Sequence, residues 1–119
     1  MLTRKFTHAF SLWNLLGIAF TEHGSLSLSI ECFKKALIIK PDHAQAFNNL
    51  GNSLRIVGDI ENAITSFQQA INIKANYALA HINLGLALSK KGEFKQAIKS
   101  YQEAIRLNPN DANLYIKVG

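Results

Sequence analysis

Four histidines and one cysteine carry the sharpest chemistry in this chain, and their spacing decides what they can do. His8, His23, His43 and His81 share no helical face at ligand spacing, and Cys32 has no cysteine or histidine partner close enough in sequence to build a metal site. One cysteine cannot form an internal disulfide either. No cation or histidine is placed to turn Cys32 into a reactive thiolate. The sequence also contains no phosphate loop, no nucleophile elbow and no carboxylate pair suited to acid–base work. The expectation is a non-enzyme, with neither metal nor cofactor. What remains is a series of asparagines, and an amide both donates and accepts hydrogen bonds. That is the chemistry of holding a partner.

The elements that would position those amides are visible as a repeat. Displaced by 34 residues, Gly17 falls on Gly51, Gly85 and Gly119, and Leu16 on Leu50, Leu84 and Val118. Gly24 falls on Gly58 and Gly92, Phe33 on Phe67 and Tyr101, Ala36 on Ala70 and Ala104, and Ile30 on Ile64 and Ile98. Within the second unit, Ala46, Phe47, Leu50, Leu54 and Val57 recur at three- and four-residue intervals, which predicts an amphipathic helix ending at Gly58. Asp59 is placed to cap the next helix, whose buried face is Ile60, Ala63, Ile64, Phe67, Ala70 and Ile71. The same logic predicts helices over 7–23 and 26–39 in the first unit, and over 78–90 and 94–107 in the third. The links "KPDH" and "NPND" interrupt the helices, since proline cannot continue one.

Glycine inside a helix costs about 1 kcal/mol relative to alanine. Its recurrence at 17, 51 and 85 therefore implies a close approach of the paired helix, with the aromatic at 33, 67 or 101 beside it. No single pair can bury its apolar face alone, so neighbours must stack into a solenoid. The expected units are 10–43, 44–77 and 78–111, with 112–119 starting a fourth, all in one array over 1–119. That fourth start, "ANLYIKVG", has no partner helix after it. Either the chain is a piece of a longer array, or the apolar side of Leu114, Tyr115 and Val118 packs on another molecule.

The bulk composition agrees. With 119 residues, 48% apolar and 18% charged, the chain reads as one ordinary soluble domain that buries roughly 65% of its unfolded surface. No apolar run is long enough to span a membrane. The apolar "WNLLGIAF" after Arg4 and Lys5 has the look of a secretion signal, but Asn14 interrupts it and no small-residue cleavage site follows. Trp13, Leu16 and Gly17 are in register with the later units instead. A reducing compartment, the cytoplasm, is expected.

These positions resemble the tetratricopeptide repeat family, whose signature runs Trp-x2-Leu-Gly-x2-Tyr, then Ala-x3-Phe, Ala and Pro. The first unit reads Trp13, Leu16, Gly17, Phe20, Ser29, Phe33, Ala36, Pro41; the second, Phe47, Leu50, Gly51, Leu54, Ala63, Phe67, Ala70, with Ala75 in place of proline. The third reads His81, Leu84, Gly85, Leu88, Ala97, Tyr101, Ala104, Pro109. The resemblance implies an all-α, right-handed superhelical solenoid of antiparallel helix pairs. It also implies that the first helices line a concave groove where a peptide binds.

Carried over by position, the groove of the first unit presents Ser11, Asn14, Leu15, Ile18, Thr21 and Glu22. The second presents Gln45, Asn48, Asn49, Asn52, Arg55 and Ile56; the third Leu79, Ile82, Asn83, Leu86, Ser89 and Lys90. Asn113 and Lys117 continue the row. Asn49 and Asn83 occupy the same position in successive units, similar to the asparagine ladder of O-linked N-acetylglucosamine transferases, although Leu15 and Lys117 interrupt it. The implied mechanism is main-chain capture by Asn49, Asn52 and Asn83, with Leu79, Ile82 and Leu86 as an apolar shelf; local bonding of these amides within the array is the competing reading. The family's carboxylate clamp uses a lysine and an asparagine in the first unit, an asparagine in the second, and a lysine and an arginine in the third. Those positions hold Asn14, Ile18, Asn49, Leu79 and Asn83, and only Asn49 matches, so a chaperone-tail receptor is not expected.

Net charge is +5, with a pI near 9.5. Lys34, Lys35, Lys95, Lys99 and Arg106 are expected on the outer side of the second helices. Arg55, Lys90 and Lys117 would favour a mildly acidic peptide in the groove. RNA is the runner-up partner: the pI suits it, but no aromatic platform for stacking bases stands among the groove positions. Two further readings remain, self-assembly through the C-terminal helix and a substrate-presenting arm of a larger enzyme.

Overall fold

The computed structural model describes residues 2–109, with side chains from residue 8 onward. The expected fourth unit, 112–119, including Asn113 and Lys117, lies outside the described residues. Six α-helices follow in order: α1 (Leu2–His23), α2 (Leu26–Ile39), α3 (Ala44–Val57), α4 (Ile60–Ile73), α5 (Ala78–Lys91) and α6 (Phe94–Leu107). No strand occurs among the described residues. The helix bounds follow the sequence expectation closely, except that α1 begins at Leu2 rather than at residue 7.

Each consecutive pair, α1–α2, α3–α4 and α5–α6, is a hairpin, and each second helix packs on the first helix of the next pair. In addition α3 touches both α1 and α5, so the first helices stand side by side. The architecture is an all-α helical-repeat solenoid. Its core is built from the residues the repeat singles out: Phe33, Ala36, Ala46, Leu50, Leu54, Ala63, Phe67, Ala70 and Ala97 are all buried.

The glycine at 17, 51 and 85 is explained by contact. A Cβ added to Gly17 would sit 2.6 Å from Cε1 of Phe33, one on Gly51 2.6 Å from Cε1 of Phe67, and one on Gly85 2.5 Å from Cε1 of Tyr101. Ordinary carbon contacts lie at about 3.5–4.0 Å. The aromatic of the second helix thus lies directly against the bare backbone of the first. Between helices the chain reverses at Gly58, whose φ of 94° is left-handed, and its N–H returns to the carbonyls of Leu54 and Arg55.

Two local expectations are corrected. Asp59 stands at the N-cap of α4 but makes no cap hydrogen bond; its Oδ2 accepts from Asn62 Nδ2 at 2.9 Å. The side-chain cap falls instead at α3, where His43 Nδ1 accepts from the N–H of Ala46 at 3.1 Å. Val57, placed on the buried face by its spacing, is 47% exposed because it lies at the last position of α3.

Candidate functional site

The wall formed by α1, α3 and α5 carries the side chains named as groove residues, and the structure sorts them into three groups. Gln45 and Lys90 are exposed, as are Leu79 at 51% and Leu86 at 41%. Asn14, Ile18, Asn49, Asn52, Arg55 and Ile82 are half-buried. Asn48 and Asn83 are buried, at 3% and 8% exposure.

The buried pair is a finding that periodicity does not supply. Asn83 Nδ2 donates to Asn48 Oδ1 at 3.1 Å, tying α5 to α3. Asn48 also hydrogen-bonds the Tyr77 phenol, whose pKa burial pushes up and this bond draws back. Asn83 stands one residue beyond the exact repeat of Asn48, so it reaches Asn48 across the junction rather than stacking above it. The equivalent tie between α1 and α3 is made of hydroxyls. Ser53 Oγ lies 3.1 Å from Thr21 Oγ1 and 3.0 Å from Ser29 Oγ. Buried polar atoms must find partners, and here the junctions between units supply them.

The remaining amides are not all satisfied. Asn49 Nδ2, Asn14 Oδ1 and Arg55 Nε are buried with no hydrogen-bond partner in the described residues. Arg55 is held from its far side, where Nη2 donates to Asn52 Oδ1 at 2.6 Å. Thr21, one unit earlier at the same position, meets Ser53; Arg55 has Ala87 at the corresponding place, and alanine offers no side-chain acceptor. A small recess of about 90 Å³ opens between α1 and α3, lined by Ile18, Thr21, Glu22, Phe33, Asn49 and Asn52. It therefore brings together Ile18, Asn49 and Asn52 from the expected site, and Arg55 joins through Asn52.

Outside this wall the titratable groups play structural parts. Cys32 is buried, and burial pushes its thiol pKa up, against a smaller lowering by Lys35. His43 is pushed down, first by burial and then by Lys40, which keeps Nδ1 free to accept its cap bond. Lys34, Lys35, Lys95, Lys99 and Arg106 are exposed on the second helices. Two of these contact neighbours: Lys35 lies 4.6 Å over the Trp13 ring, and Arg106 pairs with Glu103. No group of three or more His, Cys, Asp or Glu that could hold a metal occurs among the described residues.

Four family profiles match the chain: Tetratricopeptide repeat over 10–43, 32–65 and 78–111, and TPR repeat over 51–92. The chain belongs to the tetratricopeptide repeat family. Among solved structures, this TPR array is similar to the crystal structure of MamA, with 29% identity and a TM-score of 0.82 over 84% of this chain. The chain spans 58% of the MamA chain's length. It is also similar to the first TPR of Spaghetti (RPAP3) bound to HSP90 peptide SRMEEVD, with 18% identity and a TM-score of 0.85, covering 87% of this chain and 82% of that one. The Arabidopsis OM64 TPR domain has 16% identity and a TM-score of 0.85, covering 87% and 86%. At those last two identities the likeness is one of fold. A comparison with curated proteins finds no match.

Proposed function

We propose that this TPR array is a non-catalytic protein-interaction module that holds an extended or helical peptide along α1, α3 and α5. The observation that carries the proposal is the pair of buried donors without partners, Asn49 Nδ2 and Arg55 Nε, on that wall. Leaving a buried donor unmade costs about 1–3 kcal/mol. Turning either side chain so that its donor reaches the groove surface lets a peptide carbonyl or carboxylate recover that cost, and Asn14 Oδ1, turned outward in the same way, accepts a peptide N–H in return. Exposed Leu15, Ile56, Leu79 and Leu86 supply apolar area beside these groups.

The pattern of bonds refines which amides do the gripping. Asn83 has a donor engaged with Asn48, so Asn49 and Asn52 are the capturing amides, with Arg55 selecting a carbonyl-rich or mildly acidic segment. Two solved neighbours hold the HSP90 peptide SRMEEVD. That ligand does not suit this wall, because Ile18 and Leu79 stand where the family's clamp needs polar or cationic groups. The experiment is a selection from a random peptide library, followed by titration of the selected peptide into Asn49→Ala. Weakening of about tenfold or more with unchanged helicity supports the mechanism; unchanged affinity refutes it.

A second reading, end-to-end self-association, has its own observation. Leu12 and Leu16, at 66% and 42% exposure, stand at the positions where Ala46 and Leu50 are buried as α3 packs on α2. Phe94 and Ile98 are exposed at the positions of Ile60 and Ile64. Light scattering over a concentration series decides it: a monomer throughout removes this reading.

A further inference from the structure

The third unit breaks the repeat at one packing position. Trp13 and Phe47 both lie against the core at this place in units one and two. The third unit has His81 there, and its Nε2 lies 3.0 Å from the carbonyl of Ala75 in the link before α5. Imidazole is smaller than either ring it replaces, and that hydrogen bond holds it toward the link. Beside it, where α4, α5 and α6 meet, is a recess of about 280 Å³. Ile71, Leu84 and His81 line it, as do Gln68, Asn72, Ser100, Glu103 and the cationic Lys99. His81 and Leu84 come from α5, but the recess shares no residue with the groove positions Leu79, Ile82, Asn83, Leu86 and Lys90 of that helix.

The chemistry of its lining is specific. In unit one the ring of Trp13 is covered by the Lys35 ammonium, a cation over a π-face. The residue corresponding to Lys35 in unit three is Glu103, which Arg106 holds in its ionised form. A carboxylate repels a ring's negative face but accepts from its positive edge, and best from an N–H on that edge. Gln68 and Asn72 add amide oxygens as further acceptors. The recess is open to solvent on one side and roomy enough to receive a single aromatic side chain.

We propose that this recess is a socket for an indole side chain of a partner protein. Its ring would occupy the space that Trp13 and Phe47 fill in their own units, resting on Ile71, Leu84 and His81. Its N–H would point to the acceptors Glu103, Gln68 and Asn72. The socket is independent of the groove, so either can fail without the other.

The test is an NMR titration of the whole chain with N-acetyl-tryptophanamide. The expected result is a saturable shift of the His81, Leu84 and Ile71 resonances in the millimolar range usual for a small fragment. In His81→Trp the chain's own indole fills the recess, and the shift disappears. Should that variant fail to fold, nuclear Overhauser contacts between the added indole and the Leu84 methyls in the native chain serve the same purpose. No shift at saturating ligand, shifts confined to other residues, or shifts that survive in folded His81→Trp would overturn the proposal.

Discussion

Replacing Gly51 with alanine tests the closest packing in the array. Alanine is the better helix former by about 1 kcal/mol, so at an open mid-helix site the change should stabilise. Here the added methyl would lie 2.6 Å from Phe67 Cε1 and 2.7 Å from Cδ1. Ordinary contact needs about 1 Å more. Phe67 is 0% exposed, so the ring has no open side toward which to swing. Overpacking of this kind costs about 1–3 kcal/mol, which outweighs the propensity gain. The expected net loss is up to about 2 kcal/mol, with a fall in melting temperature of about 4 °C for each kcal/mol in a domain of this size. Denaturant and thermal melts followed by circular dichroism read it. The double variant Gly51→Ala with Phe67→Leu should recover part of the loss, since the clash is between those two groups. Gly85→Ala should cost less, because Tyr101 is only partly buried and has room to turn. A Gly51→Ala protein more stable than the parent would refute the reasoning.

Three further outcomes follow from the same contacts. Asn48→Ala leaves the buried Asn83 donor without its acceptor and should destabilise by about 1–3 kcal/mol in a urea melt, whereas Asn49→Ala removes an amide whose Nδ2 has no partner and should melt close to the parent. The folded-state pKa of His43 lies below 6.5, so the unfolded chain takes up the proton first as pH falls. Its contribution to stability is complete above about pH 6.5 and is lost as pH drops through the folded value; His43→Asn, which keeps a capping side chain without the titration, should flatten that part of the stability–pH profile. Cys32, buried and with its pKa raised, should resist a thiol reagent in the native protein and react at the rate of unfolding.

Much of this architecture is legible in the sequence because the repeat reports on itself. Gly51 and Phe67 could be paired from their recurrence at 17 and 33 and at 85 and 101, and the structure adds only that the ring lies directly on the glycine. Leu16 shows where the method fails. It matches Leu50 by position, yet Leu50 is 6% exposed and Leu16 42%, since burial there depends on packing against a preceding second helix, which α3 finds in α2 and α1 does not find among the described residues. The site was legible only in outline. Periodicity placed Asn48, Asn49, Asn52 and Asn83 on one wall but could not say which amides bond within the array. That depends on reach across a junction, where Asn83 meets Asn48 and Arg55 meets alanine. The hydroxyl tie of Thr21, Ser29 and Ser53 left a fainter signal: Ser29 and Ser53 stand where other units carry alanine.

Backbone amide shift mapping with a library-selected peptide tests most directly whether the first helices form the recognition wall. The account predicts that saturating peptide moves the resonances of Asn49, Asn52, Arg55, Leu79 and Leu86, with the Asn49 side-chain amide shifting furthest. Perturbations centred on α2, α4 and α6, with the α3 wall unmoved, would contradict it.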